Sequence, residues 1–209
     1  MKFYDCQTAP SPRRVRMFIA EKGLTIPTVE INLRENEQLS EGFLQINPDA
    51  TVPVLALDDG TRLVSTAGCR AYLESRYPEP PLLGRDHAEK GRIADLIGKV
   101  EAGGLSAVAE ALRNSARAMK DRALTGPHNY EQIPALAERG RLRAQRFFAT
   151  LDGLIAGQPF LAGDAFSAAD IDAFMFVEFV KWIKVQMPDD CANVARWHAA
   201  IAARPSAKA

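Results

Sequence analysis

Residues 2–5, Lys-Phe-Tyr-Asp, form a short apolar-rich segment that predicts a strand. Thr28-Val29-Glu30-Ile31-Asn32-Leu33 alternates polar and apolar positions at period two, which predicts another. Between them, Ser11-Pro12 reads as an N-cap followed by proline at the first helical position, with a helix running to Gly23. Leu39 to Ile46 predicts a short helix closed by Asn47-Pro48. Val54 to Leu57 and Thr61 to Val64 supply the arms of a hairpin turning at Asp59-Gly60, and Ser65-Thr66 opens a further helix through Tyr72-Leu73-Glu74. The opening strand, helix and strand predict a right-handed crossover with the two strands parallel.

The pattern breaks at Tyr77-Pro78-Glu79-Pro80-Pro81-Leu82-Leu83-Gly84, where closely spaced prolines cannot continue a helix and make a stiff, extended linker. Beyond it, candidate helices cover His87 to Lys120, Ile133 to Ala156, Ala168 to Val185 and Asp190 to Ala203. Ser167-x-x-Asp170 is a helix-start signal whose carboxylate is aimed at the N-terminal amides, a structural role. The expected organisation is an α/β domain over 1–77, a linker over 78–86 and an all-helical domain over 87–209. The α/β part has the element order of a thioredoxin-like domain.

Composition narrows the classes of function. A chain of 209 residues, 47% hydrophobic, is long enough to bury cores for two modest domains sharing an interface. The 26 basic and 26 acidic residues cancel, so no global field draws in nucleic acid or an anionic membrane, and a charged ligand has to be recognised locally. The basic residues also lack the aromatic interleaving expected for nucleic-acid binding. The amino terminus reaches charge too soon for a secretory segment, and no apolar run approaches the roughly 20 residues of a membrane span. A cytoplasmic protein is the expectation. Cys6, Cys69 and Cys191 lie far apart with no Cys-x-x-Cys or Cys/His spacing, which argues for structural thiols and no metal site.

Two segments carry candidate chemistry. Pro53 cannot donate to a ladder, so a strand opening there is exposed at its start; a cis Val52-Pro53 bond would turn the Val52 amide toward solvent, where an extended peptide can pair with it. About a dozen residues on, the Ser65 and Thr66 hydroxyls fall where a helix begins, beside unpaired N–H groups and the positive end of the dipole. Together these are parts of a site for a small anionic peptide. Arg13 and Arg14 are out of place in the first turn of a helix, where the dipole disfavours cations by a few tenths of a kcal/mol. A nearby anion removes the conflict, and so do solvation or salt bridges.

The whole chain resembles the glutathione transferase superfamily. The likeness rests on Ala9-Pro10-Ser11-Pro12-Arg13-Arg14-Val15-Arg16, Glu21-Lys22-Gly23, Asn47-Pro48, Val52-Pro53-Val54-Leu55, the segment from Leu63 to Leu73, Ala162-Gly163-Asp164, Phe166-Ser167-Ala168-Ala169-Asp170-Ile171 and Arg204-Pro205-Ser206, in that order and spacing. It looks most like the bacterial and fungal branch in which the catalytic Tyr, Ser or Cys is not obvious. The resemblance implies an α+β thioredoxin-like N-terminal domain plus an all-α C-terminal domain, a homodimer, and glutathione as co-substrate attacking a small hydrophobic electrophile or peroxide. The electrophile would lie between the domains, with Leu105, Tyr130, Phe179 and Trp182 as candidate liners, although aromatic residues at helical spacing are more often core.

Residue by residue, the resemblance implies that Thr51, Val52 and Pro53 belong to the glutathione site, Val52 pairing through its N–H and C=O with the cysteinyl part and Pro53 supplying the shape or standing as an ordinary edge-strand proline, and that Thr66 receives the γ-glutamyl carboxylate through its hydroxyl and N–H. Ser65 stands where the family has a Glu, so the negative charge near the ligand's ammonium is missing; Ser65 binds ligand or simply caps its helix. At the thiol-facing positions the chain has Thr8 and Ala9, neither a Tyr nor a Cys. Ser11 is the available hydroxyl, as a thiol partner or a plain N-cap. A water held by the helical domain is thought to ionise the thiol in the branch resembled, and Asn114-Ser115 or the His128-Asn129-Tyr130 loop are the polar groups open to that task. Two rival functions remain: a non-catalytic binding or carrier protein, favoured by the missing thiol partner and by Ser65, and a thiol-disulfide reductase, which Ala9 disfavours and only Cys6 would rescue.

Overall fold

Four strands form one mixed sheet in the order β2-β1-β3-β4: β1 (Lys2–Asp5), β2 (Thr28–Glu30), β3 (Val54–Ala56) and β4 (Arg62–Leu63). In the computed structural model, which describes residues 1–209, β1 runs parallel to β2 and antiparallel to β3, and β4 returns antiparallel to β3. Two helices, α1 (Pro10–Glu21) and α3 (Thr66–Arg76), pack together. Val15, Phe18, Cys69 and Leu73, from these helices, and Phe3 and Leu55, from the sheet, are all buried. A second cluster joins Ile31, Phe43 and Val54 with Tyr4, Val29, Ile46, Val52 and Val64, and takes Phe43 from α2 (Glu41–Leu44). This is the thioredoxin-like arrangement. The chain divides into two units, residues 1–80 with 125–128 and 209, and residues 81–124 with 129–208.

The second unit is helical: α4 (His87–Val100), α5 (Ser106–Arg113), α6 (Pro134–Ile155), α7 (Ala168–Phe179) and α8 (Ala192–Ala202). Helix α7 is buried along nearly its whole length and is apolar on every side apart from the buried Asp170 and Asp172 and the partly buried Glu178, as suits a helix at the centre of a bundle. Helices α5 and α6 approach closely at Gly140, where a Cβ would lie 2.6 Å from the Ala107 carbonyl oxygen. None of the helices is long and apolar enough to cross a membrane.

Several boundaries differ from those the pattern predicts, each for a local reason. Helix α1 starts at Pro10 with Ala9 as its N-cap and no side-chain cap bond, so Ser11 lies inside the first turn and is not the cap. Both Pro10 and Pro12 fit that turn because its N–H groups have no intrahelical partner to lose. Strand β2 stops at Glu30 because Asn32 turns the chain: its Oδ1 accepts from Arg34 N at 3.1 Å and Glu35 N at 3.4 Å, starting a 3-10 turn. The helix expected over His87 to Lys120 is α4 and α5 joined by a π-helical segment, Glu101–Leu105, and it ends at Arg113. There Gly103 and Gly104 face the Phe147 ring so closely that a Cβ on either would collide with it.

Candidate active site

Sheet register brings the candidate glutathione-binding segments to one end of the first unit. Tyr4 pairs with Val54 and Lys2 with Ala56, so the start of β3, preceded by Val52-Pro53, lies beside the end of β1, where the chain turns through Gln7 and Thr8 into α1. Leu55 pairs with Leu63, so β4 also leaves the sheet at that end and enters α3. The two helix starts are tied together where the Thr66 Oγ1 donates to the Ser11 carbonyl oxygen at 3.4 Å.

The turn before α1 is fixed by Arg16. Its guanidinium pairs with Asp5 at 2.6 Å and donates to the Gln7 carbonyl at 3.0 Å, lacing the end of β1 to the helix. Burial pushes the Asp5 carboxyl up from its ordinary value, and the Arg16 charge and hydrogen bond pull against it. The loop before β3 is fixed by Asn47, which is fully buried. Its Nδ2 donates to the Thr51 carbonyl at 2.8 Å and the Thr51 hydroxyl at 3.0 Å, and its Oδ1 accepts from Asp49 N at 3.1 Å. Thr51 is therefore occupied by its own loop. The next residue is the one left open: Val52 makes no backbone hydrogen bond within the chain, and its bond to Pro53 is cis.

At the start of α3 the Ser65 hydroxyl accepts from Gly68 N at 3.0 Å, a plain N-cap. The Thr66 and Ala67 amides, the first two of the helix, make no hydrogen bond within the chain. Thr66 thus offers an N–H and the positive end of α3 to an anion, while its hydroxyl proton is engaged by the Ser11 carbonyl oxygen. Ser11 is half-buried, and Arg14 Nη2 donates to its Oγ at 3.4 Å.

The remaining candidates are defined by their own contacts. Asn114, at the end of α5, is buried and bonded at both side-chain polar atoms: its Nδ2 donates to the Glu110 carbonyl at 2.9 Å and its Oδ1 accepts from Ile133 N at 2.9 Å, tying α5 to the segment that opens α6. The Ser115 hydroxyl donates to the Ala111 carbonyl at 2.7 Å. Both are engaged in closing a helix end. Leu105 and Phe179 are core residues, whereas Tyr130 and Trp182 are exposed, Trp182 meeting Phe179 edge to face. Cys6 and Cys69 are buried, and burial pushes the Cys69 thiol up to about 12, far from the reactive range. No group of His, Cys, Asp and Glu side chains is arranged to hold a metal. Sequence reasoning passed over Asn47, Arg16 and Arg14 as positioning groups. The Asn-Pro step marks the first; the partners of Arg16 depend on how β1 and α1 meet, and Ser11, the partner of Arg14, lies one turn back on the same helix.

A thioredoxin-like unit whose sheet end collects an open strand edge and an open helix N-terminus, followed by an all-helical unit, is the architecture of a glutathione-using transferase. Comparison agrees. The family model "Glutathione S-transferase, N-terminal domain" matches residues 8–76, and "Glutathione S-transferase, C-terminal domain" matches residues 131–209. Glutathione S-transferase 2 of Saccharomyces cerevisiae is 31% identical, the match covering 100% of this chain and 88% of the yeast protein. A solved glutathione S-transferase domain-containing protein from Marinobacter aquaeolei superposes with a TM-score of 0.91 at 35% identity, covering 99% of both chains. Maleylacetoacetate isomerase of Pseudomonas aeruginosa is 36% identical over 47% of this chain and 49% of its own length. The chain belongs to the glutathione S-transferase family, with glutathione as its co-substrate.

Proposed function

We propose that glutathione lies along the Val52-Pro53 edge and the start of α3, with its sulfur beside Ser11, and that the thiolate attacks a small hydrophobic electrophile. The observation that carries this reading is the convergence at one sheet end of Val52's unpaired backbone, the open Thr66 and Ala67 amides and the Ser11 hydroxyl. In this reading the γ-glutamyl carboxylate takes the Thr66 N–H and hydroxyl, the latter turning from the Ser11 carbonyl, and the cysteinyl backbone pairs with Val52. Pro53 shapes the edge, and Thr51 acts through the loop it braces with Asn47. Ser65 supplies the cap that aims these amides. Asn114 and Ser115 are assigned to the helical unit's own structure.

A free thiol near pKa 8.5 is about 3% ionised at pH 7, and lowering its pKa by about 1.5 units, roughly 2 kcal/mol, brings it to half. A hydroxyl donor and a helix dipole are of that order. The thiol proton leaves to solvent. The sulfur lone pair then forms the C–S bond as the leaving group departs with its bonding pair, or as a double bond takes up the charge. Holding both reactants together supplies the rest of the acceleration. The half-chain likeness to an isomerase favours an activated double bond as one electrophile class. The same reading carries a homodimer, tested by light scattering on the purified protein.

Titrating bound glutathione by ultraviolet thiolate absorbance from pH 5 to 9, beside binding calorimetry, tests the function. Binding with a thiol pKa well below the free value supports a transferase. Tight binding with no shift supports a carrier, the second reading, which Ser65 and the absence of Tyr or Cys at positions 8 and 9 favour. No binding overturns both.

A further inference from the structure

Arg14 stands one turn beyond Ser11 on α1, and their contact has a fixed direction. Arg14 Nη2 lies 3.4 Å from the Ser11 Oγ, and Arg14 is 7% exposed. A guanidinium has five N–H donors and no acceptor, and it does not lose its proton in proteins. The Ser11 oxygen is therefore the acceptor, and its one O–H proton points elsewhere. That hydroxyl donates no hydrogen bond within the chain.

We infer that Arg14 is a positioning residue for the transfer reaction: it holds the Ser11 hydroxyl as an acceptor and so turns the hydroxyl's single proton toward the glutathione sulfur. The inference rests on the reading that places the sulfur beside Ser11. It assigns Ser11 a direction, as a hydrogen-bond donor to the thiolate and not a base that removes the thiol proton. A hydroxyl whose lone pair faces a cation is a poorer base and a stronger donor, and an anionic sulfur gains more from a donor than a neutral thiol does.

The test is the pKa of the bound glutathione thiol, read by thiolate absorbance in wild type, Ser11→Ala, Arg14→Met and the double variant. Loss of one hydrogen bond to a charged group corresponds to a rise of about 1 to 2 pH units, expected for Ser11→Ala. Arg14→Met is expected to raise the pKa by a smaller amount, and the double variant to match Ser11→Ala. Arg14 has further contacts, so Arg14→Lys, which keeps the charge and loses the planar fork, stands in if Arg14→Met does not fold; it too is expected to raise the pKa. Additive shifts in the double variant would show that Arg14 acts directly on the sulfur, and would overturn the inference. So would an unchanged pKa in whichever Arg14 variant folds. A wild-type pKa that is depressed but insensitive to Ser11→Ala removes the sulfur from Ser11 and overturns the inference while the transferase reading stands. An undepressed wild-type pKa overturns the catalytic reading and the inference with it.

Discussion

The starts of α7 and α3 are both helix N-termini capped by a serine, and they treat their polar groups in opposite ways. At α7 every group is spent. Asp170 is fully buried, its Oδ1 accepting from Leu161 N and Trp197 Nε1, each at 2.9 Å, and its Oδ2 from the Ser167 amide at 3.0 Å and hydroxyl at 3.1 Å. At α3 the Ser65 cap is exposed and the next two amides are open. A buried, fully paired polar group holds the fold, whereas an open donor at a fixed position is available to water or to a ligand. The same test separates Asn114, buried and bonded at both its side-chain polar atoms, from Val52, whose backbone is open.

Cutting the saturated end should give the largest effect. Asp170→Ala leaves buried donors without an acceptor and is expected to cost about 3 kcal/mol or more of stability in denaturant unfolding. Loss of less than about 1 kcal/mol would remove the contrast. Thr66→Val at the open end is expected to weaken glutathione binding about tenfold by calorimetry, the value of one hydrogen bond to a charged group, with little change in unfolding midpoint. Ser65→Asp keeps a capping oxygen and restores a charge near the ligand's ammonium, so binding should tighten about two- to fivefold, as expected for an exposed ion pair. Unchanged or weaker binding would argue that the ammonium lies elsewhere.

The smallest effect concerns the tie between α7 and α8. Glu178 Oε1 lies 2.8 Å from His198 Nε2 and 2.7 Å from Lys181 Nζ, and Phe174 stacks on the His198 ring. The hydrogen bond from His198, with smaller help from Lys181, holds the Glu178 carboxyl down at about 2, below its ordinary 4.5. A carboxyl depressed in the folded state stabilises it above the unfolded pKa. That contribution is therefore full above about 4.5 and disappears as pH falls through about 2. His198→Ala should let the carboxyl rise, so that acid unfolding begins at a higher pH with little change at neutrality in the affinity for glutathione. An unshifted acid transition would deny the pair its role.

Much of this contrast can be read from the chain, because caps are local. Ser167-x-x-Asp170 and Ser65-Thr66 announce helix starts within four residues, and Val52-Pro53 marks an open strand edge. Direction and saturation are not local. Asn114 looks available in sequence, yet its Oδ1 partner is Ile133, 19 residues away across a long loop. Ser11 reads as a cap because a proline follows it, but two prolines fit the first turn of α1 and the helix starts earlier. Thr51 reads as a ligand contact until Asn47 is seen to occupy its carbonyl and hydroxyl. The break in the long helix depends on Phe147, which reaches Gly103 and Gly104 from α6.

Hydrogen exchange at the Val52 amide, followed by NMR with and without glutathione, tests the central claim most directly. The account predicts rapid exchange in the free protein, since the amide has no partner, and marked slowing on addition of glutathione. A Val52 amide already protected without ligand, or one whose exchange glutathione leaves unchanged while binding is shown by calorimetry, would contradict it.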